Sequence, residues 1–235
     1  MQILKNIEAI GAGLFLKKEK ILIISDLHLG YEESLVRNGV LIPRFQIEDI
    51  IKRFVKIAEK LGKINAVIIN GDFKHEFGRT TRHEWLDSKK ILEEFSKHCE
   101  KIIIVEGNHD IRLDTFKKGI NLEIVKSIQL DEYLILHGEE IPKEIPKEVK
   151  TIIIGHEHPA VSIRDEIRAE KFKCFLVGKW KGKNLIAMPA FNPVVEGTDV
   201  QKEKLLSPFL KQDLTDFTVY VVADRIYRFG KLKNI

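Results

Sequence analysis

Cysteine is scarce in this chain of 235 residues: Cys99 and Cys174 stand far apart and outside any paired spacing. Two such residues exclude a disulfide framework or a zinc knuckle and suit a reducing cytoplasm. Long apolar runs are missing as well. None approaches the roughly 18 residues needed to span a bilayer, so no membrane partner is expected. The first twenty residues, MQILKNIEAIGAGLFLKKEK, lack a basic start followed by a sustained apolar core, and no signal peptide is read there. Charge of one sign is also in short supply. A formal net charge of +4 permits a basic patch for nucleic acid without arguing for one. There are no repeats, low-complexity segments or obvious linker. The expectation is one cytoplasmic domain over residues 1–235, long enough for one core to bury most of its apolar surface.

What the chain does contain is short apolar runs alternating with amphipathic stretches. Runs at 21–25, 66–70, 102–106, 133–137 and 151–155 have the length and β-branched content of buried strands. From Gln46 to Leu61, Ile47, Ile50, Ile51, Phe54, Val55, Ala58 and Leu61 fall on one helical face, and Gly62 is a plausible stop. Glu84 to His98 predicts a second helix, with Leu86, Ile91, Leu92 and Phe95 as its apolar side. Gly13 to Leu16, the KKEK turn and the next run suggest a hairpin. After residue 156 the pattern changes to short runs at 161–164, 172–178, 184–188, 217–223 and 226–229, separated by turn signals and read as hairpins. The fold class is α/β.

Five apolar runs lead into residues that bind metals or move protons. They are followed by Asp26-Leu27-His28, Gly71-Asp72, Gly107-Asn108-His109-Asp110, His137-Gly138 and Gly155-His156-Glu157-His158. The carboxyl ends of strands in an α/β sheet form the crevice where ligands bind. Six of the eight histidines, at 28, 75, 109, 137, 156 and 158, fall in or just after these segments. Unrelated surface or core histidines explain any one of them, but explain six together poorly. In Asp-x-His and His-x-His, residues two apart on extended backbone point the same way and can face one metal. Glycine before Asp72, Asn108 and His156 allows tight turns that approach an ion closely. Carboxylate, imidazole and amide ligands suit Mn²⁺ or Fe²⁺ and admit Zn²⁺ or Ni²⁺, and manganese is the expected metal. The ligand supply exceeds the needs of one ion. Two divalent ions about 3.5–4 Å apart, bridged by a carboxylate and a water, are its natural use.

The ordered set DLH…GD…GNHD…H…GHEH, from Asp26 to His158, resembles the calcineurin-like metallophosphoesterase superfamily. The resemblance implies a four-layer α/β/β/α sandwich, with the C-terminal hairpins supplying its remaining strands and a binuclear site at the strand C-terminal ends. It implies Asp26, His28 and His158 on the first metal, Asn108, His137 and His156 on the second, and Asp72 bridging. His109 is then the catalytic histidine, protonating the leaving oxygen after a metal-bridging hydroxide attacks phosphorus. Asp110 has two readings, as a turn or cap residue and as the orienter of His109.

The superfamily spans protein phosphatases, nucleotidases, cyclic-nucleotide phosphodiesterases and DNA nucleases, so metals alone do not select the substrate. His75 makes the motif GDxxH, which resembles the superfamily's repair nucleases rather than the GDxxD of its protein phosphatases. It is read as bonding His109 or touching the substrate phosphate. DLHLGYEESLVRNGVLIPRFQ, GDFKHEFG and GHEHP resemble a smaller group of ICC-like phosphoesterases of archaea and bacteria. Bacterial members of that group are often linked with an Lhr-type DNA helicase, so DNA is the implied substrate and a helicase an implied partner. The insert from Tyr31 to Phe45 offers Arg37 and Arg44, either contacting a second phosphate or solvated on a helix packed by Leu35 and Val36. Arg112, just past the GNHD turn, borders the cleft and is the stronger substrate-binding candidate. A phosphomonoesterase or nucleotidase would use the same metals, and a metal-bound scaffold for protein partners is the non-enzyme alternative.

Overall fold

Side chains of a strand alternate between faces, so a strand apolar at every position must be covered on both sides. Such strands lie at the centre of the computed structural model, which describes residues 1–75, 81–110, 113–164 and 169–235. The first sheet runs in chain order: β1 (Gln2–Leu4), β2 (Ile7–Ile10), β3 (Gly13–Leu16), β4 (Ile21–Ser25), β5 (Ile64–Asn70), β6 (Cys99–Val105) and β7 (Leu122–Val125). Its first four strands are antiparallel hairpins, whereas β4 to β7 pair in parallel. Parallel neighbours need long crossovers. Between β4 and β5 the chain forms α1 (Tyr31–Arg37) and α2 (Gln46–Leu61), and between β5 and β6 it forms α3 (Arg82–Ser96).

The second sheet comprises β8 (Ser127–Leu130), β9 (Tyr133–Leu136), β10 (Thr151–Ile154), β11 (Pro159–Arg164), β12 (Ala169–Trp180), β13 (Lys183–Ala187), β14 (Thr198–Asp199), β15 (Thr218–Val222) and β16 (Ile226–Lys231). The hairpins expected after residue 156 are β11–β12, β12–β13 and β15–β16, all antiparallel.

Alternation sorts the apolar residues into three cores. Leu22, Ile24, Val67, Ile69, Ile102 and Ile104 pack under α2 and α3 with Phe54 and Phe95, whose rings stack with centroids 3.7 Å apart. Ile23, Ile68 and Ile103 face Ile135, Ile153 and Ile186 between the sheets. Leu134, Leu136, Ile152 and Ile154 form the outer face of the second sheet. That face is covered by Phe209, Leu210, Leu214 and Phe217, from a segment of turns rather than a helix.

Helix ends follow local chemistry. Gly62, at φ 70°, ends α2 and donates its N–H to Ala58. The expected α3 starts two residues earlier than its apolar pattern, because Thr81 and Glu84 form a capping box. Leu86 is a correction: it is 46% exposed, off the face set by Ile91, Leu92 and Phe95. In α1 the buried residue is Glu32, not Leu35 or Val36. Its carboxylate accepts from the N–H groups of Phe45 and Gln46 at 3.1 and 2.9 Å, at the positive end of α2. Among the described residues no helix is long and apolar enough to cross a membrane.

Candidate metal centre

The loops leaving β4, β5, β6, β9 and β10 meet at one edge of the two sheets. The DLH and GD loops lie side by side: His28 and Leu29 donate N–H to Asp72 and Phe73 carbonyls at 2.8 and 3.0 Å, and His75 donates to Leu29 at 2.9 Å. Gln46, buried at the start of α2, donates its amide to the carbonyls of Leu27 and His28. Extended backbone does not aim these side chains. Asp26, His28, Asp72, His156 and His158 all adopt positive φ, between 41° and 63°, a region L-residues enter at a cost of about 1–3 kcal/mol and keep where surroundings enforce it. The expected convergence occurs, with alternate left-handed residues as its cause.

Glycine permits the close packing. A Cβ at Gly71, itself at φ 82°, would overlap the His137 ring, and one at Gly155 would overlap Ser25 Oγ and the Asp26 carboxylate. One at Gly107 would strike Asp72.

Among the described residues three groups of ligating atoms result; His28, His75 and His109 form one, and the other two share Asp72. Of those two, the first is Asp26, His28, Asp72 and His158, and the second Asp72, His137 and His156. In the first, His158 Nε2 lies 3.2 Å from both Asp26 Oδ1 and His28 Nε2. In the second, His137 Nε2 lies 3.1 Å from His156 Nδ1, 3.2 Å from Asn108 Oδ1 and 3.4 Å from Asp72 Oδ2. Asp72 Oδ1 accepts the His109 backbone N–H at 3.1 Å, while Oδ2 faces both groups, 3.7 Å from His28 Nε2. Ser25 Oγ donates to Asp26 Oδ2 at 2.5 Å and leaves Oδ1 toward the histidines.

The donor set fits a pair of divalent cations. Imidazole nitrogens facing each other at 3.1–3.2 Å oppose lone pairs or N–H bonds unless a cation or proton lies between them. Burial pushes the Asp26 carboxyl up, but His158 foremost, with His137 and His28, holds it well below the usual range. Asp72 is likewise lowered against its burial, chiefly by the His137 hydrogen bond. Burial and neighbouring imidazoles bring His28 down to about 3 and His156 to about 4, so both are neutral. Burial lowers His137 too, yet Asp72 and Asp26 outweigh it and raise it to about 9.

His109 stands beside the shared carboxylate, its Nε2 3.8 Å from Asp72 Oδ2. Its Nδ1 lies 2.5 Å from the His75 carbonyl oxygen. A carbonyl only accepts, so Nδ1 carries the proton and Nε2 faces the centre. The His75 ring stacks on His109, centroids 5.7 Å apart, and meets Tyr31 edge-on at 4.8 Å. His75 therefore bonds His109 through its main chain. Asp110 sits below, its carboxylate accepting from the N–H groups of Phe73, Lys74 and Gly107 at 3.0–3.1 Å. Burial pushes its carboxyl up to about 6 against those donors. It ties the two loops together, with its direct bonds to main chain rather than to the His109 imidazole.

The arginine candidates are placed differently. Arg37 lies on the exposed last turn of α1. Arg44 lines a cleft with Glu33, Glu48, His83 and Asp87, where burial raises the Asp87 carboxyl despite the opposing charge of Arg44. Arg112 lies outside the described residues. The insert reaches the centre through Tyr31 instead. Sequence reading also missed Glu157. Its buried carboxylate accepts from Leu206 and Ser207 N–H at 2.8 Å, and Ser207 Oγ donates to Gly138. Only the fold brings residues fifty positions apart together, and no local pattern marks that contact.

Comparison with known proteins places these observations. The family model described as calcineurin-like phosphoesterase matches residues 19–161, more than half of the chain. No curated protein matches the chain. Among solved structures, a nuclease from Pseudomonas putida, MPE, is 15% identical, with 94% of this chain and 98% of that one aligned at a TM-score of 0.63. That likeness is one of fold. The phosphoesterase Yfce from E. coli is 16% identical over 87% of this chain and 88% of its own, at a TM-score of 0.40, too low to bear on the fold.

Proposed function

The chain belongs to the calcineurin-like phosphoesterase family, and on that premise we propose that it is a two-metal phosphodiesterase acting on DNA. As a family member it is a metal-dependent hydrolase of phosphoester bonds. The observation that carries the two-metal reading is the pair of ligand groups sharing Asp72. Asp26, His28 and His158 would hold one divalent ion, Asn108, His137 and His156 the other, with Asp72 touching both. Bound there, such ions supply Lewis acidity at the phosphoryl group and activation of water.

The remaining work falls to the chain. His75 O fixes the His109 tautomer, so His109 in its protonated form presents Nε2–H toward the reacting phosphate. From there it donates to a phosphoryl oxygen or hands its proton to the leaving oxygen. Asp110 keeps the loop beneath it in place through three main-chain N–H groups. The His75 ring, between Tyr31 and His109, forms a wall of the cleft where substrates are told apart. The GDxxH spelling and a shared fold with a nuclease support a diester of DNA over a monoester.

The test is metal-stripped protein reloaded with single metals, manganese first, and assayed on plasmid DNA, a small chromogenic diester and the corresponding monoester. We expect diester and DNA cleavage to exceed monoester turnover. Monoester hydrolysis alone would assign a phosphomonoesterase instead. His109→Ala should retain its metals and lose at least about a hundredfold in turnover, whereas Asp72→Ala should lose metal as well. Full activity in either variant would contradict the assignment.

A further inference from the structure

A groove of roughly 430 Å³ opens between α2 and the β15–β16 turn, and strand register places it on the edge that carries the ligand loops. Val221 pairs with Cys174, next to Lys173, and Lys173 pairs with Ala160, two residues after His158. On the other sheet Leu14 pairs with Ile23, which brings the β2–β3 turn lining the groove level with the end of β4. Phe191 stands between groove and metal centre, and its N–H donates at 2.7 Å to the carbonyl of Ser25, next to Asp26.

The groove's charge is unbalanced. Arg53, Lys56 and Lys60 follow one another along the exposed side of α2, and Arg225 lies opposite. Among the described residues none of the three α2 cations has an ion-pair or hydrogen-bond partner. Some lysines on other elements are paired, as in Lys101–Glu123 and Lys171–Glu203. The groove's two carboxylates are engaged, Glu8 by the Met1 amine at 3.2 Å and Asp224 by the Tyr227 hydroxyl at 3.0 Å. Beneath the cations lies apolar surface from Ile57 and its neighbours.

A ligand matching this surface carries successive negative charges on one side and flat apolar groups on the other. A nucleic-acid strand has that form, with phosphates at regular intervals and a base to lay on an apolar floor. The cavity matches a small-ligand site in volume and is too small for a duplex. We propose that this groove holds the single-stranded flank of the substrate, its backbone phosphates on Arg53, Lys56 and Lys60, while the scissile phosphate lies at the metal centre. The link to cleavage rests on the phosphodiesterase reading above. The binding itself does not.

The test compares wild type with the triple variant Arg53→Ala, Lys56→Ala, Lys60→Ala, both metal-loaded. Anisotropy of a labelled, phosphorothioate-linked single-stranded oligonucleotide reports binding across a salt series, with polyglutamate as competitor. Hydrolysis of a small chromogenic diester is followed beside it. Three lost phosphate contacts at a slope of about −0.7 each should weaken binding about a hundredfold at about 0.1 M salt and flatten the salt slope by about 2. The small diester, which does not reach the groove, should be hydrolysed equally by both. Equal affinities and slopes for both proteins would overturn the proposal, as would polyglutamate binding as tightly as the oligonucleotide. Should wild type hydrolyse neither the diester nor a normal oligonucleotide while the binding difference persists, the phosphodiesterase reading falls and the strand site stands.

Discussion

Gly71 shows how little room the ligand loops leave. It sits at φ 82°, and a methyl group there would occupy the space of the His137 ring. Gly71→Ala should therefore displace His137 and lower occupancy of the second ion more than the first, measurable as metal per chain. The backbone strain adds a stability loss of about 1 kcal/mol or more. Such residues explain why much of the site was legible: Asp, His, Asn and Gly at strand ends have few other reasons to recur together. His75 was legible only in part. Its position pointed to His109, but the bond runs through its carbonyl, an atom every residue has, so spelling could not distinguish it. Lys173 was not legible at all. It is half-buried on β12, where its Nζ donates to the carbonyls of Ala190 and Asn192. Burial, with Arg53 adding, lowers its ammonium to about 7. The unfolded chain keeps that proton up to the ordinary value of 10.5, so between about pH 7 and that value raising pH favours the folded state. Thermal unfolding should show wild type gaining stability relative to Lys173→Met as pH rises through that window. A constant difference would place the titration elsewhere.

At the level of elements, periodicity and punctuation served well where one element is covered by one neighbour. Helix α2 spans the predicted residues because its apolar face meets one sheet, and β4 is the predicted run unchanged. Two kinds of element escaped. Edge strands such as β7 are short and half-exposed, so their alternation is weak. The turns that cover the second sheet have no period at all, and their apolar residues are ordered by what they cover. Helix α1 illustrates a third case, since its one buried side chain is charged. Glu32 serves the next element, accepting the first N–H groups of α2, while Gln46 of α2 holds the DLH loop. Glu32→Ala should cost about 1–2 kcal/mol, as other lost caps do, lowering Tm by about 2–4 °C per kcal/mol. Glu32→Gln, which still accepts, should recover part of it. An unchanged Tm for the alanine variant would remove this contact from the account.

For the whole molecule, the two sheets bring loops from residues 26 to 158 to one edge, and Asp72 lies where the two ligand groups meet. The order of the motifs made the sandwich legible, because ligands spread over more than half the chain converge only if the strands carrying them do. The tether from Glu157 to Ser207, and from Ser207 to Gly138, was illegible because it joins segments with no common pattern. It makes the turn-rich C-terminal segment part of the frame around His137 and His156. On the proposed reading, this edge holds two ions on either side of one carboxylate. Anomalous diffraction from crystals grown with manganese tests it most directly. Two peaks about 3.5–4 Å apart are expected, one beside Asp26, His28 and His158 and one beside Asn108, His137 and His156, with Asp72 between. A single peak, or two that do not share Asp72, would contradict that reading.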